Sequence, residues 1–326
     1  MTASTAIEVR DLQVIYESLA AVRGVTFTLP AGGRMGLVGE SGSGKSMTAL
    51  ALMGLLPPGW RSEGTIWHDG VDLATQSDKA LSARRGRTIS MVFQDPMSSL
   101  NPVRRVGDQI SDVIRRHRKV SRHEALRQTI DLMGQVNLPR PEQLVRSYPH
   151  QISGGQKQRI MIAMALACYP QLIIADEPTT ALDVTVQKQV LRLLSAATKE
   201  RNCALLMITH DLPVIAAMCD SVAVMYAGRI VEYGRVQDVF RHPRHHYTRG
   251  LLESQPTMDN IALDGSSRLT SIPGMVPPLP ALPKGCAFHP RCPAASDICR
   301  TKMPELDAAT GAACWHPVAL TRTERA

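Results

Sequence analysis

Aromatic side chains are scarce in this sequence, since Phe, Trp and Tyr make up only 4% of its 326 residues. Proteins that bind single-stranded nucleic acid stack bases on aromatic rings, so little material is available for such a surface. The chain also lacks an apolar run of 18 residues, because Pro170 and Gln171 interrupt the longest apolar-rich stretch, residues 160–175. This pattern is typical of a buried helix end followed by a strand and argues against a membrane span.

The N-terminal stretch MTASTAIEVRDL lacks the apolar segment of a secretory signal and carries charges instead. We therefore expect a cytosolic chain whose seven cysteines do not form disulfides. Hydrophobic residues make up 44% and charged residues 20%, which excludes a disordered or fibrous protein. The length fits one large domain or two smaller ones.

Positive charge is unevenly distributed along the chain, whose net charge is +8. Residues 1–100 and 151–240 are neutral, whereas residues 101–150 hold ten basic and five acidic groups and residues 241–326 hold ten and seven. The two basic segments indicate a polyanionic partner, an anionic membrane surface, or only solvated basic faces.

Composition changes near residue 240, because eleven of the 22 prolines and four of the seven cysteines lie in residues 241–326. Before this point, short β-branched runs alternate with helical patterns, as in a doubly wound α/β domain. Residues 97–168 have helical periodicity and no strand pattern. The sequence therefore predicts an α/β core at 1–96 and 169–240, a helical insertion at 97–168, and a C-terminal extension at 241–326; the motifs described next make the core a nucleotide-binding one.

The segment GESGSGKS (39–46) lies between the apolar run RMGLV and a helical pattern, the order that a phosphate-binding loop requires. Its glycines let the backbone bend so that N–H groups converge on a phosphate. Lys45 would reach the β and γ oxygens of ATP, and the Ser46 hydroxyl would ligate Mg²⁺. The predicted ATP-binding residues of this loop are Gly39, Ser41, Gly42, Gly44, Lys45 and Ser46.

The segment LIIADEP (172–178) reads as a buried strand followed by two acidic residues. Asp176 emerges at the carboxyl end of the strand, where α/β sheets bind ligands, and would hold Mg²⁺ directly or through water. Glu177 would orient and polarise the attacking water. Gln94 and His210 end two other strand patterns in the same way and would sense the γ-phosphate and its water from two sides.

The segment ISGGQKQR (152–159) opens a helical pattern, so Ser153 and the amides of Gly154 and Gly155 would form an anion-binding helix start. With this segment, the chain from about residue 6 to 240 resembles the ATPase subunit of ABC transporters. The resemblance rests on the ordered set GESGSGKS, Gln94, ISGGQ, IIADEP, ALD (181–183) and His210. It implies an α/β fold of the P-loop NTPase class, the ABC ATPase cassette with its helical insertion subdomain.

The same resemblance implies roles for individual residues and a pair of ATPases that face head to tail. The implied catalytic residues are Glu177, His210 and Gln94, and the implied Mg²⁺ ligands are Ser46, Gln94 and Asp176. The implied contacts to ATP held by the partner ATPase are Ser153, Gly154, Gly155, Gln156 and Asp183. Tyr16 matches the aromatic residue that stacks on adenine, although an ordinary strand tyrosine would give the same pattern.

Three further segments make the chain resemble the ATPases of dipeptide/oligopeptide importers: FQDPMSSLNP (93–102), HPRHHYTRGLL (242–252) and IPGMVPPLPALPKGCAFHPRCP (272–293). This implies a peripheral protein at the cytoplasmic face of the membrane. Its partners would be two transmembrane permease subunits, an extracytoplasmic substrate-binding protein and a second ATPase, with a sister subunit favoured over a homodimer.

The solute is left open, because similar ATPases handle dipeptides, longer peptides, glutathione-like compounds and nickel chelates. A soluble ABC ATPase that acts on nucleic acid or ribosomes is a rival function. Such proteins usually have two cassettes or long coiled-coil arms, and this sequence has neither, so we expect no nucleic-acid partner. A metal-sensing regulator would leave the complete hydrolytic site unexplained.

Four cysteines of the extension, Cys286, Cys292, Cys299 and Cys314, are separated by five, six and fourteen residues. Thiolates in a proline-rich segment with little regular structure indicate a metal site. The bound metal would stabilise a tail that lacks a hydrophobic core of its own. Zinc more often binds paired CxxC motifs, so the wider spacing favours an iron-sulfur cluster. The resemblance to the importer ATPases implies the same site, because those proteins carry a 4Fe-4S cluster in a metal-binding C-terminal extension.

Zinc and free thiols remain the alternatives at these four cysteines, with His289 and His316 as further candidate ligands. The other three cysteines, Cys168, Cys203 and Cys219, lie in apolar helix or strand patterns and are predicted to be inert core thiols.

Overall fold

The computed structural model describes residues 5–95, 99–179, 182–255 and 271–319. Ala181 of the ALD segment and residues 96–98 of FQDPMSSLNP lie outside these ranges. The strands of the described part are β1 (Thr5–Tyr16), β2 (Leu19–Pro30), β3 (Arg34–Val38), β4 (Trp60–His68), β5 (Val71–Asp72), β6 (Ile89–Val92), β7 (Leu172–Asp176), β8 (Ala204–Ile208), β9 (Ser221–Tyr226) and β10 (Arg229–Arg235).

The helices of the same ranges vary in length from four to 17 residues. They are α1 (Lys45–Met53), α2 (Asp78–Arg84), α3 (Val106–His117), α4 (Arg122–Gln135), α5 (Pro141–Leu144), α6 (Gly154–Leu166), α7 (Val184–Glu200), α8 (Leu212–Met218), α9 (Val236–Arg241), α10 (His246–Glu253) and α11 (Asp297–Thr301). None of these helices is long and apolar enough to cross a membrane.

The strands form two sheets, an antiparallel one in the order β2-β1-β4-β5 and a larger one in the order β10-β9-β3-β8-β7-β6. In the larger sheet, all neighbouring pairs from β9 to β6 are parallel, and β10 runs antiparallel to β9 at the edge. Parallel strands are covered on both faces and are therefore largely apolar. All residues of β7 and β8 are buried, as this arrangement requires.

The parallel strands bring the predicted site residues to one edge of the larger sheet. Strand β3 leads into the glycine loop and α1, and β7 ends at Asp176. Strand β8 is followed closely by His210, and β6 is followed by Gln94. Because the carboxyl ends of parallel strands meet at one edge, segments far apart in the sequence can share one ligand site.

Between β6 and β7, the described residues form helices and loops without a strand. Helix α3 buries Val106, Ile110 and Ile114 on one face, at the spacing of an amphipathic helix. Ser121 caps α4, where its hydroxyl oxygen accepts a hydrogen bond from the backbone N–H of Glu124. The domain limits at residues 97, 169 and 241 stay predictions.

The C-terminal extension packs into the core of the α/β domain, contrary to the expectation of a tail without a core. Tyr247 and Phe288 are buried in the same apolar cluster as Tyr226 of β9. The ring of Tyr226 lies 4.6 Å from that of Tyr247 and 5.3 Å from that of Phe288. The backbone of β10 also donates from Tyr233 to the Gly311 carbonyl, so the extension is joined to the sheet edge.

Candidate functional site

The glycine loop connects β3 to α1 at the edge where the parallel strands end. Gly44 has a φ of 102°, and a Cβ there would lie 2.7 Å from the Ala21 carbonyl oxygen, so a side chain would clash with the backbone. Gly42 has a φ of 78°, but a Cβ there would meet nothing within 4 Å. The loop is therefore packed against the protein at Gly44 and open at Gly42, where a ligand can approach its backbone. Ser41 is exposed in this open part.

Lys45 begins α1 and turns its side chain back over the glycine loop. Its Nζ donates to the carbonyl oxygens of Gly39 at 2.8 Å and of Glu40 at 3.0 Å, and the residue is 8% exposed. Burial lowers the pKa of Lys45, while the carboxylates of Glu177, Asp176 and Glu40 oppose this shift. Hydrogen bonds from an ammonium group to neutral carbonyl oxygens are weaker than those to a charged phosphate. Lys45 can therefore exchange its carbonyl partners for a phosphate.

Asp176 and Ser46 meet at the end of β7. The Ser46 hydroxyl hydrogen-bonds to the Asp176 carboxylate, and burial is the main cause that raises the pKa of this carboxyl group. Asp176 Oδ1 is buried and has no hydrogen-bond partner among the described residues. A buried oxygen without a partner is unfavourable unless a ligand binds it. A carboxylate oxygen beside a hydroxyl is a donor set that suits Mg²⁺, so these residues fit the cation.

Glu177 and His210 are joined by a hydrogen bond. His210 Nδ1 lies 2.8 Å from Glu177 Oε1, and the side chains are 69% and 11% exposed, respectively. Glu177 has a φ of 48°, a left-handed conformation that is unfavourable for a residue with a side chain. Its N–H donates to the Ile208 carbonyl at 2.8 Å, which secures this turn beside β8. Strained backbone of this kind is common at functional sites.

Gln94 and Tyr16 are the two remaining residues predicted to contact ATP in the same chain, and both are exposed. The register of β6 and β7 pairs Val92 with Ala175, so the exposed Gln94 follows at the same sheet edge as Asp176. Tyr16 ends β1, and its ring lies 5.3 Å from that of Trp60 while the residue remains 39% exposed.

The residues predicted to act on a partner's ATP lie at exposed helix starts. Ser153 caps α6: its hydroxyl oxygen accepts from the Gln156 N–H at 3.3 Å, and Gln156 Oε1 accepts from the Ser153 N–H at 2.9 Å. Asp183 caps α7 by accepting from the N–H groups of Thr185 and Val186 at 3.0 Å. Among the described residues, no hydrogen bond links Ser153, Gly154, Gly155, Gln156 or Asp183 to the glycine loop of the same chain.

The four cysteines of the extension come together around one small cavity of about 10 Å³, which His245, His289 and His316 also line. Burial raises the pKa of Cys286 and Cys292, and it raises that of Cys314 to about 11. In the described ranges, however, no group of three or more His, Cys, Asp or Glu residues is placed to hold a metal ion. The cavity has room for about one water-sized sphere, so the thiols converge without the geometry of a metal centre.

The three other cysteines are half-buried or buried. Burial raises the pKa of Cys168, and it raises those of Cys203 and Cys219 to about 12. Such groups remain protonated at neutral pH, which agrees with the prediction of inert thiols.

Three residues at the glycine loop were not predicted from the sequence: Glu40 and its two partners from the extension, Arg291 and Tyr247. Arg291 forms an ion pair with Glu40 of the glycine loop, across 251 positions of the chain. The Glu40 N–H donates to the Tyr247 hydroxyl oxygen at 2.8 Å. Nothing in the local patterns at these positions indicates such contacts.

The fold and the site define an ATPase of the ABC type: a phosphate-binding loop, an acidic pair at the end of a neighbouring parallel strand, and a long helical insertion between strands. A family model described as ABC transporter matches residues 22–180. A second model, described as oligopeptide/dipeptide transporter, C-terminal region, matches residues 231–299. The chain belongs to the family of ABC transporter ATP-binding proteins that includes the oligopeptide transport ATP-binding proteins.

Two relatives illustrate this membership. The chain is 48% identical to the oligopeptide transport ATP-binding protein OppD of Salmonella typhimurium over 322 residues, 97% of this chain and 95% of that protein. It is 48% identical to OppD of Bacillus subtilis over 288 residues, 86% of this chain and 80% of that protein.

Two solved structures of a dimeric ATP-binding cassette, MJ0796, share the fold. One, in a post-hydrolysis state with bound ADP and Pi, matches with a TM-score of 0.64 and 24% identity over 71% of this chain and 98% of that chain. The other matches with a TM-score of 0.64 and 26% identity over the same shares. The predicted ABC ATPase cassette is confirmed.

Proposed function

We propose that this chain hydrolyses ATP to drive the uptake of peptides, as the ATP-binding subunit of an ABC importer. The observation that carries this proposal is the assembly of Lys45, Asp176, Glu177 and His210 at one sheet edge, in a chain that also has the C-terminal region of oligopeptide/dipeptide transporters. Its partners would be two transmembrane permease subunits and an extracytoplasmic substrate-binding protein. The chain would then lie peripherally at the cytoplasmic face of the membrane.

Uptake by the complete transporter tests this proposal. We expect the chain to copurify with two permease subunits and, in proteoliposomes, to hydrolyse ATP several-fold faster when the substrate-binding protein carries a peptide. Glutathione and nickel chelates are tested in parallel with oligopeptides. Stimulation by one of these solutes alone would reassign the substrate. Salt-dependent retention on nucleic acid, without permease subunits, would favour the soluble ATPase instead.

The phosphate-binding residues act through charge and through exchange of hydrogen-bond partners. Lys45 Nζ would leave the carbonyl oxygens of Gly39 and Glu40 and donate to the β and γ oxygens of ATP. The N–H groups of the glycine loop and of the first turn of α1 would bind the β-phosphate. Tyr16 would stack on adenine with its exposed ring.

Three residues would hold Mg²⁺: Ser46 through its hydroxyl, Asp176 through the oxygen that lacks a partner, and Gln94. When bound, the cation neutralises the charge that develops on the phosphate oxygens. The Asp176 carboxylate would orient the Ser46 hydroxyl through the hydrogen bond between them.

Glu177 would act as the base that takes the proton from the attacking water. Its hydrogen bond to His210 fixes the position of the carboxylate, and the exposed imidazole would contact the γ-phosphate. Lys45 and Glu177 are close enough for the carboxylate to favour the charged form of the ammonium group. The same site thus holds both the charge that stabilises the phosphate and the base that activates water.

A second ATPase would complete the site, and we infer that Ser153, Gly154, Gly155, Gln156 and Asp183 contact the ATP of that partner. The exposed start of α6 supports this, because the free N–H groups of a helix N-terminus attract anions. The solved cassette with the same fold is a dimer. We propose a sister ATPase as the partner, in a heterodimer.

We also propose that Cys286, Cys292, Cys299 and Cys314 bind a 4Fe-4S cluster, with Zn²⁺ as the alternative. The convergence of four thiols on one cavity supports a shared ligand. Cluster binding would require the cavity of about 10 Å³ to widen. It would also require the thiols to lose their protons, which burial opposes at Cys286, Cys292 and Cys314.

Metal analysis of anaerobically purified protein distinguishes these ligands. We expect about four iron atoms and four sulfide ions per chain and broad absorbance near 400 nm, with loss of this absorbance in Cys299→Ser and retention in the matched core variant Cys203→Ser. Finding one zinc ion and no iron would show that the four cysteines bind zinc and not a cluster. Four free thiols in the native protein would exclude both.

A further inference from the structure

Glu40 of the glycine loop is held at its amide, its carbonyl and its side chain. Its N–H donates to the Tyr247 hydroxyl oxygen at 2.8 Å, and its carbonyl oxygen accepts from Lys45 Nζ at 3.0 Å. Its carboxylate receives two parallel hydrogen bonds from Arg291, at 2.7 Å and 2.9 Å. Two of these three partners, Tyr247 and Arg291, belong to the C-terminal extension.

The guanidinium of Arg291 has a partner for each of its nitrogen atoms. Nε donates to the Pro273 carbonyl at 2.8 Å, and Nη1 lies 3.3 Å from the Tyr226 hydroxyl in addition to its bond with Glu40. The side chain is only 4% exposed, whereas that of Glu40 is 30% exposed. A paired arginine in such a position is weakly screened by solvent, and the two-bond geometry fixes the orientation of both side chains.

Tyr247 is held just as firmly on the extension side. The buried Glu232 carboxylate accepts from the N–H groups of Arg244 and His245 at 2.6 Å and 3.0 Å, which anchors the chain that enters α10 to β10. His245 Nδ1 then accepts from the Tyr247 N–H at 3.0 Å. These hydrogen bonds fix the backbone at Tyr247, whose hydroxyl contacts Glu40. The Tyr247 ring packs against Tyr226 and Phe288.

We propose that Arg291 and Tyr247 are positioning residues that hold the phosphate-binding loop, through Glu40, in the conformation that binds Mg·ATP. The extension and the nucleotide site are then thermodynamically linked: ordering of the extension favours nucleotide binding, and bound nucleotide favours the ordered extension. This rests on the proposed role of the glycine loop in ATP binding. The physical reason is that the loop N–H groups bind phosphate only when the loop backbone has one defined conformation, and the fixed contacts to Glu40 impose it.

Arg291 is also the neighbour of Cys292, one of the four converging cysteines. The backbone N–H of Arg291 donates to the Phe288 carbonyl at 2.9 Å, within the turn that carries Cys292. A rearrangement of the four cysteines would therefore move Arg291, which is hydrogen-bonded to Glu40. Through this contact, a change in the extension would alter the glycine loop.

Mg·ATP affinity of the full chain tests the proposal, measured by isothermal titration calorimetry. We expect Arg291→Met and Glu40→Gln each to raise the Kd about 10-fold, and the double variant to raise it by the same factor, because both changes break one pair. Arg291→Lys keeps the positive charge but cannot donate two parallel hydrogen bonds to Glu40, so we expect a smaller rise in the Kd. Arg300→Met, an exposed arginine of the same extension, is the matched control and should bind as the wild type does.

A purely structural role would lower the fraction of active protein without changing the affinity of the remainder. The proposal instead requires that KM for ATP rise while kcat at saturating ATP stays within about twofold of the wild type. If Arg291→Met does not fold, as judged by thermal melting, Tyr247→Phe removes only the hydroxyl and should still raise the Kd about threefold. Unchanged affinity in the folded variants of Arg291 and Tyr247 would overturn the proposal.

Reciprocity gives an independent readout. Mg·ATP should slow hydrogen exchange of residues 286–292 in the wild type and leave it unchanged in Arg291→Met. The Lys45→Met variant separates this proposal from the function on which it rests. If Lys45→Met binds Mg·ATP normally, the nucleotide site itself is misassigned; if it loses binding while the Arg291 variants retain it, only the linkage is wrong.

Discussion

Replacement of Glu177 by glutamine is expected to lower ATP hydrolysis about 10³-fold while the protein still binds Mg·ATP. The amide keeps the size of the side chain and its hydrogen bond to His210, but it cannot take a proton from water. We therefore expect ATP to persist between the two ATPases of the proposed dimer, which then stays closed. Steady-state phosphate release and size-exclusion chromatography with Mg·ATP, both with the sister ATPase present, measure the two effects.

The control for this variant is Glu200→Gln, which removes an exposed carboxylate at the end of α7 and should leave hydrolysis unchanged. Adding Ser153→Arg to Glu177→Gln should abolish the trapped dimer, because the bulky cation fills the helix start that we propose contacts the partner's ATP. Ser121→Arg removes the cap of α4 instead and should leave the dimer intact. A near wild-type hydrolysis rate in Glu177→Gln would show that another group is the base.

The second large effect is expected for Lys45→Met, which should weaken Mg·ATP binding at least about 100-fold and reduce hydrolysis to background. Methionine keeps the apolar part of the side chain and removes the ammonium group, so the β and γ oxygens lose a buried cationic donor. Equilibrium binding of a fluorescent ATP analogue measures the change.

Lys79→Met provides the comparison, because Lys79 is exposed on α2 and its loss removes one positive charge from the same chain. Equal affinities for Lys45→Met and Lys79→Met would contradict the assignment of the glycine loop to phosphate binding. A melting temperature for Lys45→Met within a few degrees of the wild type shows that the lost affinity is local, since in the described part of the chain the ammonium hydrogen-bonds to Gly39, Glu40 and Ser43 of its own loop.

The core of the site was predictable because each part has a short sequence pattern with one structural meaning. An apolar strand, a glycine loop and a helix at residues 34–53 fold as one local unit. Asp176 ends a strand whose residues are all buried, and the parallel order of the sheet brings it to the Ser46 hydroxyl. The hydrogen bond between Glu177 and His210 follows from the same edge of the sheet.

The C-terminal extension was harder to predict, because its low helix content indicated a tail without a core. Phe288 and Tyr247 instead complete the apolar cluster around Tyr226, which lies on a strand of the ATPase. The four cysteines were expected to meet and do line one cavity, but the described residues have no metal-ligand geometry there. Spacing indicates which thiols can converge, whereas the distances among them depend on how the whole extension packs.

The ATPase class, the glycine loop and the strand ends that carry Asp176, Glu177 and His210 can be predicted from the amino-acid sequence, because they depend on local patterns and on the general behaviour of parallel sheets. The bond between Arg291 and Glu40, across 251 positions, becomes visible in the folded chain alone. A glutamate within a glycine loop and an arginine after a proline carry no local sign of each other. Their pairing exists because the aromatic cluster of the extension packs against β9 and brings a buried guanidinium within 2.7 Å of the loop carboxylate.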